Sequence, residues 1–456
     1  MSGKNSNSMP FPRSIAEIDP PQIQHTTISP GIPVTFITNT TLPMVVLEII
    51  FYHGARSENI EQKGITVLTL NLADEGAGPY DSLTFHDKFD FLGSNIHCYG
   101  DQDTVRIQIT SLRETFAETM GLVSLMLHQP RFDVKDFDRE KHRMLVQLQQ
   151  AKDVADRIAD RVLTKKIFSA GHLYGKDAFG TIKTLETVTR ENSLEWFRKI
   201  LTTSSIEVVA AGAIDGAYLH DILSSSLSSL FPVNPAREEL SIEREYFPAS
   251  INIVHRDGAP QTEIMMGHQA PKVFDGDHLA RSAANMILGG QFSSRLNLNL
   301  REKHGFTYGA HSYFSSRQLC GEYILATSVG AKDTAKALEQ IFIELEKIKK
   351  GVTKKEVAFV KSSMVNRFSL GFETNTQLLF NMIFLRLHEA PETYFSTYVE
   401  HLKKLDSETI LNAAKENIDP QAMQVVLVGN RDEIKAGLAA SSITIPTEEI
   451  ENDSLW

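Results

Sequence analysis

The stretch Ile206-Glu-Val-Val-Ala-Ala-Gly212 has the pattern of a buried strand that ends at a glycine, and Met423-Gln-Val-Val-Leu-Val-Gly429 repeats it near the other end of the chain. Each copy follows a segment with helical periodicity, around Ser193–Ile200 in the first case and Ser407–Glu416 in the second. Short runs rich in β-branched residues and bounded by glycine are typical of strands in a sheet core. The chain therefore contains the same helix–strand unit twice.

Further from these strands, a second pair of segments repeats in the same order. Val105-Arg-Ile-Gln-Ile-Thr alternates like a strand, as does Tyr323-Ile-Leu-Ala-Thr-Ser, and in the two copies Ser111 corresponds to Gly330. Each strand precedes a segment with apolar residues at helical spacing, namely Phe116, Met120, Val123 and Leu127 in the first copy and Ala335, Leu338, Ile341 and Leu345 in the second. The distance along the sequence from Ser111 to Gly330 differs by only two residues from the distance from Gly212 to Gly429. We therefore predict an internal duplication.

The duplication predicts two homologous domains joined by a linker. Its proline-rich composition places the join between Phe231 and Ser250. Strands and long helices are grouped rather than strictly alternating, which favours an α+β fold in which each domain is a mainly antiparallel sheet packed with helices. The predicted parts are an N-terminal extension (1–29), an N-terminal domain (30–232), a linker (233–249), a C-terminal domain (250–440) and a tail (441–456).

Composition excludes several classes of protein. The 456 residues are 42% hydrophobic and 23% charged, which is typical of a globular chain. The formal net charge of −11 argues against a nucleic-acid partner, because phosphate binding needs a basic face. The N-terminus is polar and no apolar run is long enough to span a bilayer, so we expect no membrane association. The expected compartment is the cytoplasm, with the periplasm as the alternative.

The most distinctive segment is Leu288-Gly-Gly-Gln-Phe-Ser-Ser-Arg-Leu-Asn-Leu-Asn-Leu-Arg-Glu-Lys-His-Gly-Phe-Thr-Tyr-Gly-Ala-His-Ser-Tyr313, a glycine turn, a helix and then R-E-x-x-G-x-x-Y. Other short segments are Gly171-His-Leu-Tyr-Gly175, Phe372-Glu-Thr-Asn-Thr-Gln-Leu378 and a strand, polar turn and helix over 48–76. Together these motifs resemble the pitrilysin and mitochondrial-processing-peptidase family over most of residues 40–430.

The resemblance implies roles for residues of the second half. Tyr308 would donate a hydrogen bond to the carbonyl oxygen of the scissile bond as it becomes an oxyanion, and Arg301 would bind the substrate backbone. The glycine turn and the residues after it, Gly289, Gly290, Phe292 and Ser293, would contact substrate. Without the resemblance, Arg301 could simply favour a helix dipole, Gly305 could cap the helix, and Tyr308 could be a packed strand aromatic.

The first half lacks the metal motif of active family members. In these members one helix carries H-x-x-E-H, which holds zinc and supplies the general base. Here the corresponding residues are Val67-Leu-Thr-Leu-Asn71, with Leu70 at the position of the base, and the third ligand aligns with Gln147. We therefore predict that this chain binds no metal and that zinc belongs to a partner.

The resulting hypothesis is a division of labour between two chains. This chain is predicted to be the non-zinc subunit of a heterodimeric zinc metalloendopeptidase, inactive alone, with a homologous zinc-bearing subunit and peptide substrates as its partners. The alternative is a catalytically inactive peptide-binding or scaffold subunit of a larger complex.

Overall fold

A computed structural model describes residues 19–231 and 233–456. The first half contains β1 (Gln24–Ile28), β2 (Ile32–Thr38), β3 (Met44–Phe51), α1 (Ile65–Ala73), β4 (Gly76–Ala77), β5 (Tyr80–Asp81), α2 (Ser82–Phe91), β6 (Asn95–Gly100), β7 (Val105–Leu112), α3 (Phe116–His128), α4 (Val134–Ala151), α5 (Ala155–Ile167), α6 (Ile182–Thr187), α7 (Arg190–Thr203), β8 (Ile206–Gly212) and α8 (Gly216–Leu227). The second half contains β9 (Ser250–His255), β10 (Gln261–Ala270), α9 (His278–Leu288), a π-helical segment (Asn297–Lys303), β11 (Ala310–Ser316), β12 (Gly321–Gly330), α10 (Thr334–Ile348), α11 (Lys354–Leu370), α12 (Asn375–Leu387), α13 (Tyr394–Lys404), α14 (Ser407–Asn417), β13 (Gln424–Gly429), α15 (Arg431–Ala439) and β14 (Thr447–Ile450).

Each half is built on a six-stranded sheet. The order is β6-β7-β3-β8-β2-β1 in the first and β11-β12-β10-β13-β9-β14 in the second. Both sheets are mainly antiparallel, and the equivalent pairs β2–β8 and β9–β13 are parallel in both. The predicted α+β class with two matching halves is therefore confirmed. Strand β1 lies within residues 1–29 and β14 within 441–456, so each sheet extends past the domain limits expected from the sequence.

The helical patterns noted in the sequence bury the faces that they indicate. In α3 the four apolar residues at helical spacing are buried in the first core; those of α10 are also buried, and Leu338, Ile341 and Leu345 belong to the second core. In β7 the buried residues Val105, Ile107 and Ile109 alternate with half-exposed ones, as expected for a strand with one covered face. Local periodicity thus accounts for the layer of helices on one side of each sheet.

The other face of each sheet is covered in part by a helix from the opposite half. Helix α5 packs on β10 and β13, where Ile158, Val162 and Ile167 join a cluster with Ile324 and Val426. Helix α12 packs on β2, β3 and β8 of the first sheet and buries Leu378, Leu379, Met382 and Ile383 there. Each half thus covers apolar surface of the other.

A buried polar joint also connects the halves. The Tyr174 hydroxyl donates to Asp103 Oδ1 at 2.6 Å, and Arg56 binds the same oxygen at 2.6 Å. From the second half, the backbone N–H of Gln318 donates to Asp103 Oδ2 at 3.0 Å and that of Leu319 donates to the Tyr174 oxygen at 3.1 Å. The motif residue Tyr174 therefore holds the turn between β11 and β12.

Glu263 on β10 makes the interface with α5 sensitive to pH. Burial raises the pKa of its carboxyl to about 7, and the negative charge of Asp156 on α5 adds to the effect. Because the folded state favours the neutral acid, this contribution to stability is complete below the ordinary pKa of 4.5 and is lost as the pH rises through 7. We expect the free energy of unfolding of Glu263→Gln to exceed that of the parent by about 2 kcal/mol at pH 8. At pH 4 the two free energies should be almost equal. Urea titrations of both proteins at the two pH values check this, and a difference independent of pH would contradict it.

In the parts of the chain that the structure describes, no helix is long and apolar enough to cross a membrane.

Candidate functional site

The glycine turn after α9 allows the chain to pass very close to β11. A Cβ atom on Gly289 would lie 2.3 Å from Ser312 Oγ, and one on Gly290 would lie 2.8 Å from Asn285 Nδ2. The space is closed because Ser312 N–H donates to the Gly289 carbonyl at 3.1 Å and its hydroxyl donates to Asn285 Oδ1 at 2.7 Å. Gly289 is therefore buried in the scaffold and Gly290 is half-buried, so neither glycine offers a large surface to a ligand.

The residues after the turn are exposed. Phe292 is 72% exposed, and Ser293 beside it is also exposed. The Arg301 guanidinium lies over the Phe292 ring, 4.4 Å from its centroid, and pairs with Glu302 at 3.1 Å. The Arg301 side chain keeps 33% of its surface exposed. The structure thus brings Phe292 and Arg301 together at the protein surface, where the guanidinium retains donors for a ligand.

The helix expected before Tyr308 is wider than an α-helix. Over Asn297–Lys303 the backbone is π-helical, a conformation that occurs mostly in short stretches and often at functional sites. Buried Leu296 and Leu300 anchor it to the core. Gly305, at φ +66°, then takes the left-handed conformation that is typical of a glycine capping the end of a helix.

Asn297 fixes the start of β11 from this segment. Its Nδ2 donates to the Ala310 carbonyl at 2.8 Å, while the Ala310 N–H donates to Asn297 Oδ1 at 2.9 Å. The side chain therefore replaces a neighbouring strand at the edge of the sheet. Nothing in the sequence distinguished Asn297 or Asn285 as a positioning residue, apart from a polar side chain among buried apolar neighbours.

Tyr308 has a rigid backbone and a free side chain. The Thr327 hydroxyl donates to the carbonyl of Gly309 at 3.0 Å, and the Gly309 N–H donates to Thr307 Oγ1 at 3.1 Å. The Tyr308 side chain itself is 93% exposed, and within residues 19–231 and 233–456 its hydroxyl has no hydrogen-bond partner. The interpretation of Tyr308 as a packed strand aromatic is therefore wrong.

We expect Asn297→Ala to lower the free energy of unfolding by about 2–3 kcal/mol, because the buried N–H and C=O of Ala310 lose their partners. Chemical denaturation measures this loss. Asn412→Ala, at an exposed position of α14, is the matched control and should stay within about 0.5 kcal/mol of the parent. Equal effects of the two substitutions would contradict the positioning role of Asn297.

The positions that hold zinc in active relatives do not fit a metal here. Val67 is half-buried against the first core, Leu70 is buried, Asn71 is half-buried and Gln147 is exposed. Zinc sites use imidazole, thiolate or carboxylate ligands, and these positions offer only aliphatic and neutral amide groups. Among the residues that the structure describes, no group of three or more His, Cys, Asp or Glu side chains could hold a metal ion.

Gln147 instead lines a cavity of about 820 Å³ between the two halves. Its walls come from the β6–β7 loop, the end of α4, most of the length of α5, the loop 176–179, the end of β11 and Trp456. Arg301 and Tyr308 do not line this cavity. The structure therefore places Gln147, but neither Arg301 nor Tyr308, in the wall of this cavity.

A duplicated α+β chain with a glycine turn and R-E-x-x-G-x-x-Y in its second half has the architecture of the metallopeptidase family that its motifs resemble. The chain belongs to peptidase family M16. Residues 34–176 match the family model described as Insulinase (Peptidase family M16), and residues 187–364 match the Peptidase M16 inactive domain. The resemblance inferred from the motifs is thus confirmed.

Individual relatives are distant but extensive. The chain is 24% identical over 412 residues to the non-peptidase homolog YmxG of Helicobacter pylori, covering 89% of this chain and 93% of that protein. It is 22% identical over 357 residues to mitochondrial-processing peptidase subunit alpha of Pongo abelii, covering 72% of this chain and 67% of that protein. A solved peptidase M16 inactive domain from Pseudomonas fluorescens has the same fold, with a TM-score of 0.84 at 22% identity over 90% of this chain and 98% of that one.

Proposed function

We propose that this chain is the non-zinc subunit of a two-chain metalloendopeptidase and that it binds the peptide substrate through Arg301 and Tyr308. The observation that carries the proposal is the state of Tyr308, whose hydroxyl is exposed and has no hydrogen-bond partner among the described residues, on a backbone held by Thr307 and Thr327. An exposed tyrosine on a hydrogen-bonded loop is suited to a ligand from another molecule, because binding orders the side chain without having to order the backbone.

The chemistry available to this chain is binding and charge stabilisation. The phenol can donate to an oxygen that becomes negative during attack on a carbonyl, and such a donor acts most strongly where water is excluded. The Arg301 guanidinium offers a fixed fork of N–H groups to peptide carbonyls. The partner would supply the metal and the general base, since the residues at Val67, Leu70, Asn71 and Gln147 cannot.

The relatives that the chain matches support an arrangement of two M16 chains in one enzyme. One of them is named as the alpha subunit of a processing peptidase, which is a description of that protein as part of a multi-chain enzyme. The proposed partner of the present chain is a homologous M16 subunit with an intact H-x-x-E-H helix.

A second candidate is a catalytically inactive subunit that binds peptides or serves as a scaffold. The name non-peptidase homolog, carried by a relative that matches 89% of this chain, favours it. Exposed Phe292 and Arg301 could then serve protein binding without chemistry.

Reconstitution separates the two candidates. The chain is co-expressed with the zinc-bearing M16 homologue from the same source, and the cleavage of a fluorescence-quenched peptide library is measured for each chain alone and for the mixture. The proposal expects cleavage only by the mixture. If the partner alone cleaves as fast as the mixture, the scaffold candidate is favoured, and if the present chain alone cleaves, both are wrong.

A further inference from the structure

The cavity between the halves is a second surface that the Arg/Tyr pair does not use. Its volume of about 820 Å³ lies within the range of ligand pockets, and it is open to solvent on one side. Both halves contribute to its walls, with α4 and α5 from the first and Ser315–Arg317 from the second. The cavity therefore exists only when the two halves are packed against each other.

Most charged groups around the cavity already have partners. Asp103 binds Arg56, and Asp101 binds Arg106 at 3.0 Å. Arg161 binds Asp177 at 2.7 Å and also donates to the Leu455 carbonyl while its guanidinium lies over Trp456. Arg317 binds Glu322 at 2.5 Å. These pairs neutralise one another and form the frame of the cavity.

Among the described residues, the charged side chains that line the cavity without forming an ion pair are mainly positive. Within the described parts of the chain, the side chains of Arg157, Lys165 and Lys176 line the cavity without an ion pair, and only Asp160 does so among the acids. The cavity is thus a local excess of positive charge in a protein whose formal net charge is −11. A concave site of one sign attracts ligands of the opposite sign.

We propose that this cavity binds a short acidic segment of a peptide or unfolded protein, whose carboxylates pair with Arg157, Lys165 and Lys176. The other walls suit a polypeptide: Gln147 and Gln150 are amides that can bond to peptide groups, and Phe179 is 48% exposed beside them. A long polyanion such as RNA is disfavoured, because the protein outside the cavity carries an excess of negative charge. The degenerate metal position has in this view become part of a binding site without chemistry.

The test uses the full chain and a fluorescein-labelled ten-residue peptide that contains four Glu residues. Its matched partner is the same peptide with Gln at those positions. Fluorescence anisotropy should detect binding of the acidic peptide alone, and this binding should weaken as salt is raised from 50 to 300 mM. The variant R157Q/K165Q/K176Q should lose about tenfold in affinity, as expected from three partly exposed charge pairs.

A control variant and a second cavity variant test whether binding is specific to the cavity. The variant K332Q/K354Q/K355Q removes the same charge from exposed positions of the second half and should bind within twofold of the parent. Gln150→Glu adds a negative charge to the cavity wall without removing a side chain and should weaken binding about threefold, while circular dichroism verifies that each variant folds. Equal binding of the two peptides, equal loss in both triple variants, or equal competition by an RNA of the same charge would each overturn the proposal. Since no cleavage is measured, the result stands apart from the outcome of the reconstitution experiment.

Discussion

Replacing Tyr308 with Phe in the proposed two-chain enzyme is expected to lower kcat by about 10²–10³ with little change in KM, as for the loss of a single oxyanion donor. The substitution removes one oxygen from a ring that is 93% exposed and unpartnered in the described chain, so the fold should be unaffected. A donor that acts on charge developing in the transition state affects kcat, whereas a donor that only holds the substrate affects KM.

Steady-state kinetics of the mixture provide the measurement, and thermal unfolding of the isolated variant provides the check on folding. Tyr246→Phe is the matched control, since Tyr246 is an exposed tyrosine of the linker whose hydroxyl makes at most a long contact of 3.5 Å to Gln421. The control should retain full activity. If Tyr308→Phe also retains full activity, the proposed chemical role of Tyr308 is lost and the scaffold function gains.

The second large effect is expected at the joint between the halves, where Asp103→Ala should lower the free energy of unfolding by about 3–5 kcal/mol. Asp103 is 5% exposed and accepts hydrogen bonds from Tyr174, Arg56 and Gln318. Burial raises the pKa of its carboxyl, and these three partners act against that shift by favouring the charged form. Its removal leaves the Arg56 guanidinium buried without its partner, which is the costly outcome for an ion pair in the interior.

Urea unfolding at pH 7 measures this effect. Tyr174→Phe removes one hydroxyl from the same joint and should cost about 1–2 kcal/mol. Asp138→Ala, at an exposed position of α4, should change stability by no more than about 0.5 kcal/mol. A loss of less than about 1 kcal/mol in Asp103→Ala would contradict the role of Asp103 in holding the two halves together.

The features that sequence reasoning identified are those encoded in local patterns. The periodic apolar residues of α3 and α10, the strand that ends at Gly212 and its copy that ends at Gly429 all have the predicted structure. The structure agrees with the predicted duplication, since five strands follow the same order in both sheets and the sixth differs, being β1 in one and β14 in the other. The motif around Arg301 and Tyr308 was also visible, although its helix is π-helical rather than α-helical.

The site depends on contacts that no local pattern encodes. Asn297 and Asn285 shape the turn because Ala310 and Ser312 lie against them, and only the folded chain brings these residues together. The predicted ligand-contacting set also divides in the structure, since Gly289 is buried while Phe292 and Ser293 are exposed. Burial of this kind depends on the packing of several elements and cannot be predicted from residue type.

Periodicity was enough to predict two sheets and their covering helices, and the resemblance of the motifs to known proteins indicated the family, because both depend on residues that are neighbours in the sequence. The exchange of α5 and α12 between the halves, the cavity that results from it and the exposure of Tyr308 came only from the folded chain. These features could not be predicted from the sequence for one physical reason. Apolar surface on one half, such as Val46 and Val209, is buried most completely by a helix that lies far away in the sequence, and the chain must close on itself before that partner is defined.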